Sequence, residues 1–185
     1  MKLQTRWYEG SLRYDGTQLR SHFIYQSTGI LGNVCMGFQG PCEVSLDHLV
    51  DLEDVRRKAP IFSPCMLHFL LEDFHLDLPA AVCLQRLMTG MVAEELAGRG
   101  VKDLERRGDD LYWREKKLNV SIATRSATSS LIHLGINIET EGVPVPAVGL
   151  AQWDIAPEAF AKSFLQRLER EYEDIWAATY KVRAV

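Results

Sequence analysis

The chain has 185 residues, of which 46% are apolar and 25% charged, with 13 Gly, 7 Pro and a formal net charge of −4. That balance excludes collagen-like and low-complexity sequence, and a chain of this size removes about 70% of its unfolded surface from water without needing disulfides or a structural metal. The basic runs Arg56-Arg57-Lys58 and Lys116-Lys117 are short and flanked by acids, so no basic stripe for duplex nucleic acid is present.

No apolar run reaches the roughly 18–20 residues of a membrane span, and the segment from Met1 to Trp7 lacks the apolar core of a signal peptide. Cys35, Cys42, Cys65 and Cys83 include no Cys-x-x-Cys and read as the thiols of a cytoplasmic protein. A single domain over residues 1–185 is expected.

In chain order, Arg6–Tyr14 and Thr17–Tyr25 flank Asp15-Gly16 and predict a hairpin. Its second arm places Arg20 and His22 on one face. Ser27 through Pro41 reads as turn-rich, and Glu43–Val50 is open between strand and helix. Met66–Asp73 predicts a strand. Leu84, Leu87, Met88, Met91, Val92 and Leu96 recur at helical spacing, and Pro79 and Gly98 bound a helix over about Pro79–Ala97. Strands over Leu118–Thr124 and Leu131–Ile138 follow. A last helix starts near Asp154 or Ala156, with Pro157 at its first position and Phe160, Phe164, Leu168, Tyr172, Ile175, Trp176 and Thr179 on one face. Strands and helices in this order favour α+β, a mostly antiparallel central sheet flanked by helices.

Strand parity places Asn119, Ser121 and Ala123 on one side of the first late strand, with Lys117 leading them. In the second, His133, Gly135 and Asn137 oppose an apolar Ile132, Leu134, Ile136 and Ile138 face. If the strands pair, the small polar faces are expected to form the floor of a ligand pocket; a close-packed subunit contact would also select small residues.

Gly108-Asp109-Asp110-Leu111-Tyr112-Trp113-Arg114-Glu115-Lys116-Lys117-Leu118 resembles the biotin protein ligase segment Pro-Asn-Asp-(apolar)-Tyr-…-Arg/Gly-Lys-(apolar), with Asp109 in place of the Asn, and Gly135-Ile136-Asn137-Ile138 resembles the Gly-Ile-Asn-Val strand of that superfamily. Ser27-Thr28 stands where those ligases carry Asp-Ser-Thr-Asn, and Phe62-Ser63-Pro64 precedes a strand and a long helix in their order. The chain thus resembles a family related in fold to biotin and lipoate protein ligases, within the class II aminoacyl-tRNA synthetase-like group.

The resemblance implies that Lys117 contacts a substrate carboxylate and an adenylate phosphate, and that Asp110 lies near ATP and its magnesium. It also implies that Ser27 and Thr28 line the acid's pocket and that Asn137 supports the substrate strand. The glycine-rich adenylate loop of biotin ligases has no counterpart; Arg56, Arg57 and Lys58 offer its charge alone. Where octanoyltransferases carry Pro-Cys-Gly, this chain has Pro146-Ala147-Val148-Gly149, without a nucleophile. Cys35 and Cys42 are spaced by seven, which fits no metal motif, and plain thiols are expected.

Two functions follow. One is a ligase- or acyltransferase-like enzyme acting on a small carboxylic acid through an acyl-adenylate, with ATP and Mg as cofactors. The other is a binding or modifying protein for a polar heterocycle, recognised by Arg20, His22, Asn119, Ser121, His133 and Asn137 in the same pocket. No metal ligand set is expected, and homo-oligomerisation stays open.

Overall fold

The computed structural model describes all 185 residues, Met1–Val185. The central sheet has the order β1-β2-β3-β8-β7, formed by β1 (Gln4–Ser11), β2 (Val34–Val44), β3 (Ile61–Asp73), β8 (Ser130–Glu139) and β7 (Asn119–Arg125). β1 pairs parallel to β2, and every other pairing in this sheet is antiparallel. A second, small sheet of β4 (Leu104–Arg107), β5 (Asp110–Trp113) and β6 (Lys116–Lys117) stands beside β7. The architecture is α+β.

Long helices α3 (Leu78–Gly98) and α4 (Pro157–Tyr180) cover one face of the sheet. Asp77 caps α3 by accepting from the Ala80 amide at 2.9 Å, and Pro occupies the first turn of both helices, where no amide is needed. Leu67, Phe69 and Leu71 of β3 join Met88, Val92, Phe160 and Phe164 in this core. In α4 the buried stripe includes Phe160, Phe164, Leu168 and Tyr172, whereas Ile175 and Thr179 are exposed on its last turns.

The other face is covered by the segment leading from β1 through the short helix α1 (Phe23–Thr28), with Tyr14, Ile24, Met36, Phe38, Met66 and Leu70 in its core. The expected N-terminal hairpin does not form. Asp15-Gly16 does turn the chain, but Thr17 to His22 then curls into α1, and β1 finds its partner in β2. The expected turn-rich run is β2 itself from Val34 onward. Its glycines mark close approach: a Cβ at Gly40 would lie 2.1 Å from the Leu12 carbonyl oxygen, and one at Gly37 would meet Leu165, Phe69 and Trp7. Glu43–Val50 resolves into the end of β2 and a single 3-10 turn, Leu46–His48.

The β7–β8 register corrects the shared face. Val120 lies opposite Gly135 and Ile122 opposite His133, while Asn119 faces Ile136 and Ser121 faces Leu134. Residues directly opposite in an antiparallel pair share a face, so Asn119, Ser121 and Ala123 lie on the helix side and Val120 and Ile122 join His133. Each strand's own alternation holds; pairing matches the polar side of one to the apolar side of the other.

Because the Leu12 backbone fills the space a side chain would need, Gly40→Ala is expected to lower the unfolding free energy by about 2 kcal/mol or more. A urea titration with unchanged midpoint would contradict this packing.

Candidate ligand-binding site

The β5–β6 hairpin builds the mouth of the site. Its turn residues Arg114 and Glu115 both have positive φ, 49° and 64°, the twist a two-residue hairpin loop requires. Lys117 is then anchored by its backbone: its amide donates to the Pro146 carbonyl and its carbonyl accepts from the Val148 amide. Its ammonium meets Asp110 at 2.9 Å, both half-buried. Asn119 clamps this hairpin to the main sheet, accepting from the Leu111 amide at 2.6 Å and donating to the Asp109 carbonyl at 2.9 Å.

Behind this mouth lies a cavity of about 340 Å³ between the open side of β7–β8, the end of β3 and the segment from Val44 to Ile61. Its lining includes Leu19, Met66, Val120 and Ile122 as apolar walls, with Tyr14, His133 and Asn137 as polar groups. Each of the three is at least nine-tenths buried. Asn137 donates to the Lys117 carbonyl at 3.4 Å, leaving its oxygen free. His133 Nε2 lies 3.0 Å from Nδ1 of the buried His68, whose Nε2 in turn lies 3.2 Å from the Gly40 carbonyl oxygen. The Tyr14 ring stacks on His133 at 3.9 Å.

The charge at the mouth is acidic. Asp51, Glu53, Asp54, Asp109 and Asp110 line it against Lys117 and Arg57. Burial, then the neighbouring Asp51, pushes the Asp54 carboxyl upward, and Lys117 and Arg57 oppose that only in part. Arg57 is itself paired with Glu53 at 3.0 Å.

Of the residues singled out in the sequence, Lys117, Asp110, Asn119, Ser121, His133, Asn137 and Arg57 contribute to this lining. The side chains of Asn119 and Ser121 are committed to structure: Ser121 accepts from Gln85 of α3 at 2.9 Å. Gly135 is covered, since a Cβ there would meet Met66 Cε at 3.0 Å.

The rest lie elsewhere. Ser27 and Thr28 end α1 and donate back to the Phe23 and Ile24 carbonyls. Arg20 stands over the Phe23 ring, and Arg56 and Lys58 are exposed on and just after α2 (Leu52–Arg57). His22 lines a separate, smaller cavity beside Glu72, which accepts its amide at 2.9 Å. Cys35 and Cys42 are fully buried, and burial pushes the Cys42 thiol up to about 12, so neither is poised as a nucleophile. Tyr14, His68, Met66 and Asp54 were invisible as site residues, because only the tertiary fold brings the first three to β8 and Asp54 to the mouth beside Lys117 and Asp110.

The central sheet with its flanking helices has the fold of solved biotin and lipoate protein ligase structures, to which this chain is similar. The chain belongs to the family described as Domain of unknown function (DUF366), whose pattern matches residues 3–183. A protein of unknown function from Pyrococcus horikoshi is similar at 38% identity and TM-score 0.94, with 99% of each chain covered. Uncharacterized protein MJ0805 of Methanocaldococcus jannaschii is 34% identical over 145 residues, 75% of this chain; the match spans 65% of that relative's length. A biotin protein ligase from Aquifex aeolicus in complex with biotin and ATP is similar at 16% identity and TM-score 0.57, over 90% of this chain and 69% of that one.

The donor set here does not fit ATP. Five carboxylates face two cations at the mouth, and both cations are already paired. No helix is long and apolar enough to cross a membrane.

Burial holds His68 well below its ordinary value, at about 4. The unfolded chain then binds the proton first, so this contribution to stability is complete above pH ~6.5 and is lost as pH falls toward 4. His68 alone should account for about 3 kcal/mol of that loss. The His68→Gln variant should show a flatter fall in urea-unfolding free energy over this window; an equal slope would refute a neutral, buried His68.

Proposed function

We propose that the protein binds or modifies a small polar heterocyclic molecule in this cavity without adenylating it. The carrying observation is that three buried polar residues, Tyr14, His133 and Asn137, line the cavity among apolar walls. Apolar surface supplies the affinity of such a site, and a few fixed polar groups supply its orientation. The acidic mouth favours a neutral or cationic ligand over a polyphosphate. Lys117, held against Asp110, serves as a hydrogen-bond donor at the entrance rather than as a free cation awaiting phosphate.

A second reading is favoured by the fold and by Lys117. It is a ligase- or acyltransferase-like enzyme in which Lys117 and Asp110 act on a small carboxylic acid through an acyl-adenylate. The two readings differ on ATP.

Native mass spectrometry of freshly purified protein is expected to show a retained small molecule, and Asn137→Leu to lose it with the fold intact. Titration calorimetry with ATP, with and without magnesium, is expected to give no heat of binding. ATP binding that Lys117→Ala abolishes would replace the first reading with the second.

A further inference from the structure

The two histidines beneath the cavity determine each other's protonation. His68 Nε2 faces the Gly40 carbonyl oxygen at 3.2 Å, and a carbonyl oxygen can only accept, so that nitrogen carries the proton. A neutral imidazole has one N–H, which makes His68 Nδ1 an acceptor. The proton of its 3.0 Å contact with His133 therefore sits on His133 Nε2. Burial and the adjacent His68 both oppose a charge on His133, so its remaining nitrogen, Nδ1, is a bare lone pair.

That lone pair belongs to a side chain of the cavity lining. His133 is 3% exposed and lines the cavity, and no protein group bonds its Nδ1. Every side-chain nitrogen or oxygen sealed from solvent has a partner, so Nδ1 is not sealed. The same holds for the hydroxyl of Tyr14, which is also 3% exposed and stacked on His133 with an interplanar angle of 12°. Burial raises the Tyr14 phenol above its ordinary value, so it stays protonated and can donate. The two stacked residues thus supply one fixed acceptor and one donor.

We propose, building on the reading of the cavity as a ligand site, that Tyr14 and His133 form a subsite for a neutral amide-type group, such as a lactam or the amide edge of a heterocycle. The ligand N–H donates to His133 Nδ1 and the ligand carbonyl accepts from the Tyr14 hydroxyl. A carboxylate at this position would face the His133 lone pair, and an N-alkylated amide would leave it without a partner, which is the costly side of the hydrogen-bond balance. His68 does not touch the ligand; it is a positioning residue that holds the His133 tautomer through Gly40.

The test uses the whole chain with 15N-labelled histidine. Long-range proton–nitrogen spectra at neutral pH are expected to show both His68 and His133 as the Nε2–H tautomer. Titration with 2-pyrrolidinone should shift the His133 Nδ1 resonance saturably, with N-methyl-2-pyrrolidinone at least about tenfold weaker, the equivalent of one hydrogen bond. A proton on His133 Nδ1, equal shifts from the two lactams, or no shift from either overturns the proposal. Lactam selectivity in a protein that retains no small molecule would instead count against the ligand-site reading while leaving the subsite's chemistry in place.

Discussion

Both faces of β3 are buried, and the rest of the structure answers to that constraint. From Met66 to Asp73 every residue is shut away, Leu67, Phe69 and Leu71 toward the long helices and Met66, His68 and Leu70 toward the N-terminal segment. A strand in that position cannot leave polar groups unattended. Asp73 accepts from the amides of His75 and Leu76 and from the Tyr172 hydroxyl of α4. Glu72 takes the His22 amide and the Ser129 hydroxyl. His68 ties Gly40 to His133. The buried polar residues of one strand thereby fix α4, α1 and the cavity floor in place.

The same constraint separates structural polarity from available polarity. Asn119 and Ser121 look like recognition groups, yet both are consumed in joining β7 to the hairpin and to α3. Tyr14, His133 and Asn137 keep polar atoms that no protein group uses. Such atoms are tolerated only where water or a ligand reaches them. The chemistry of the cavity is written in what the fold leaves unpaired rather than in the number of polar residues nearby.

The two long helices are legible because 3.6-residue periodicity and proline position are local: Pro157 and the Phe160–Tyr172 stripe announce α4, and Pro79 and Gly98 bound α3 to within a residue or so, whereas the short α1 and α2 carry no such signal. Strand alternation within β7 and within β8 was equally clear. Their mutual register was not, because a shift of one residue inverts every facing, and nothing in either strand states the offset. The N-terminal third misled for a related reason. Asp15-Gly16 does make a turn, but parallel pairing of β1 with β2 depends on contacts about 30 residues apart, which local signals do not carry. Lys117 and Asp110 could be singled out through the segment that resembles the ligases, and one hairpin brings them together; Tyr14 and His68 could not.

Met66 sits where Gly135 leaves room, its terminal methyl taking the place a side chain would occupy on β8. It is also part of the cavity wall between His133 and Asn137. An unbranched thioether with three rotatable bonds yields at the cost of a rotamer change, unlike the β-branched Val120 and Ile122 beside it. The partition separating the imidazole end of the chamber from its entrance is therefore its most compliant surface. The chamber has one elastic wall, whose position a rotamer change of Met66 alone resets.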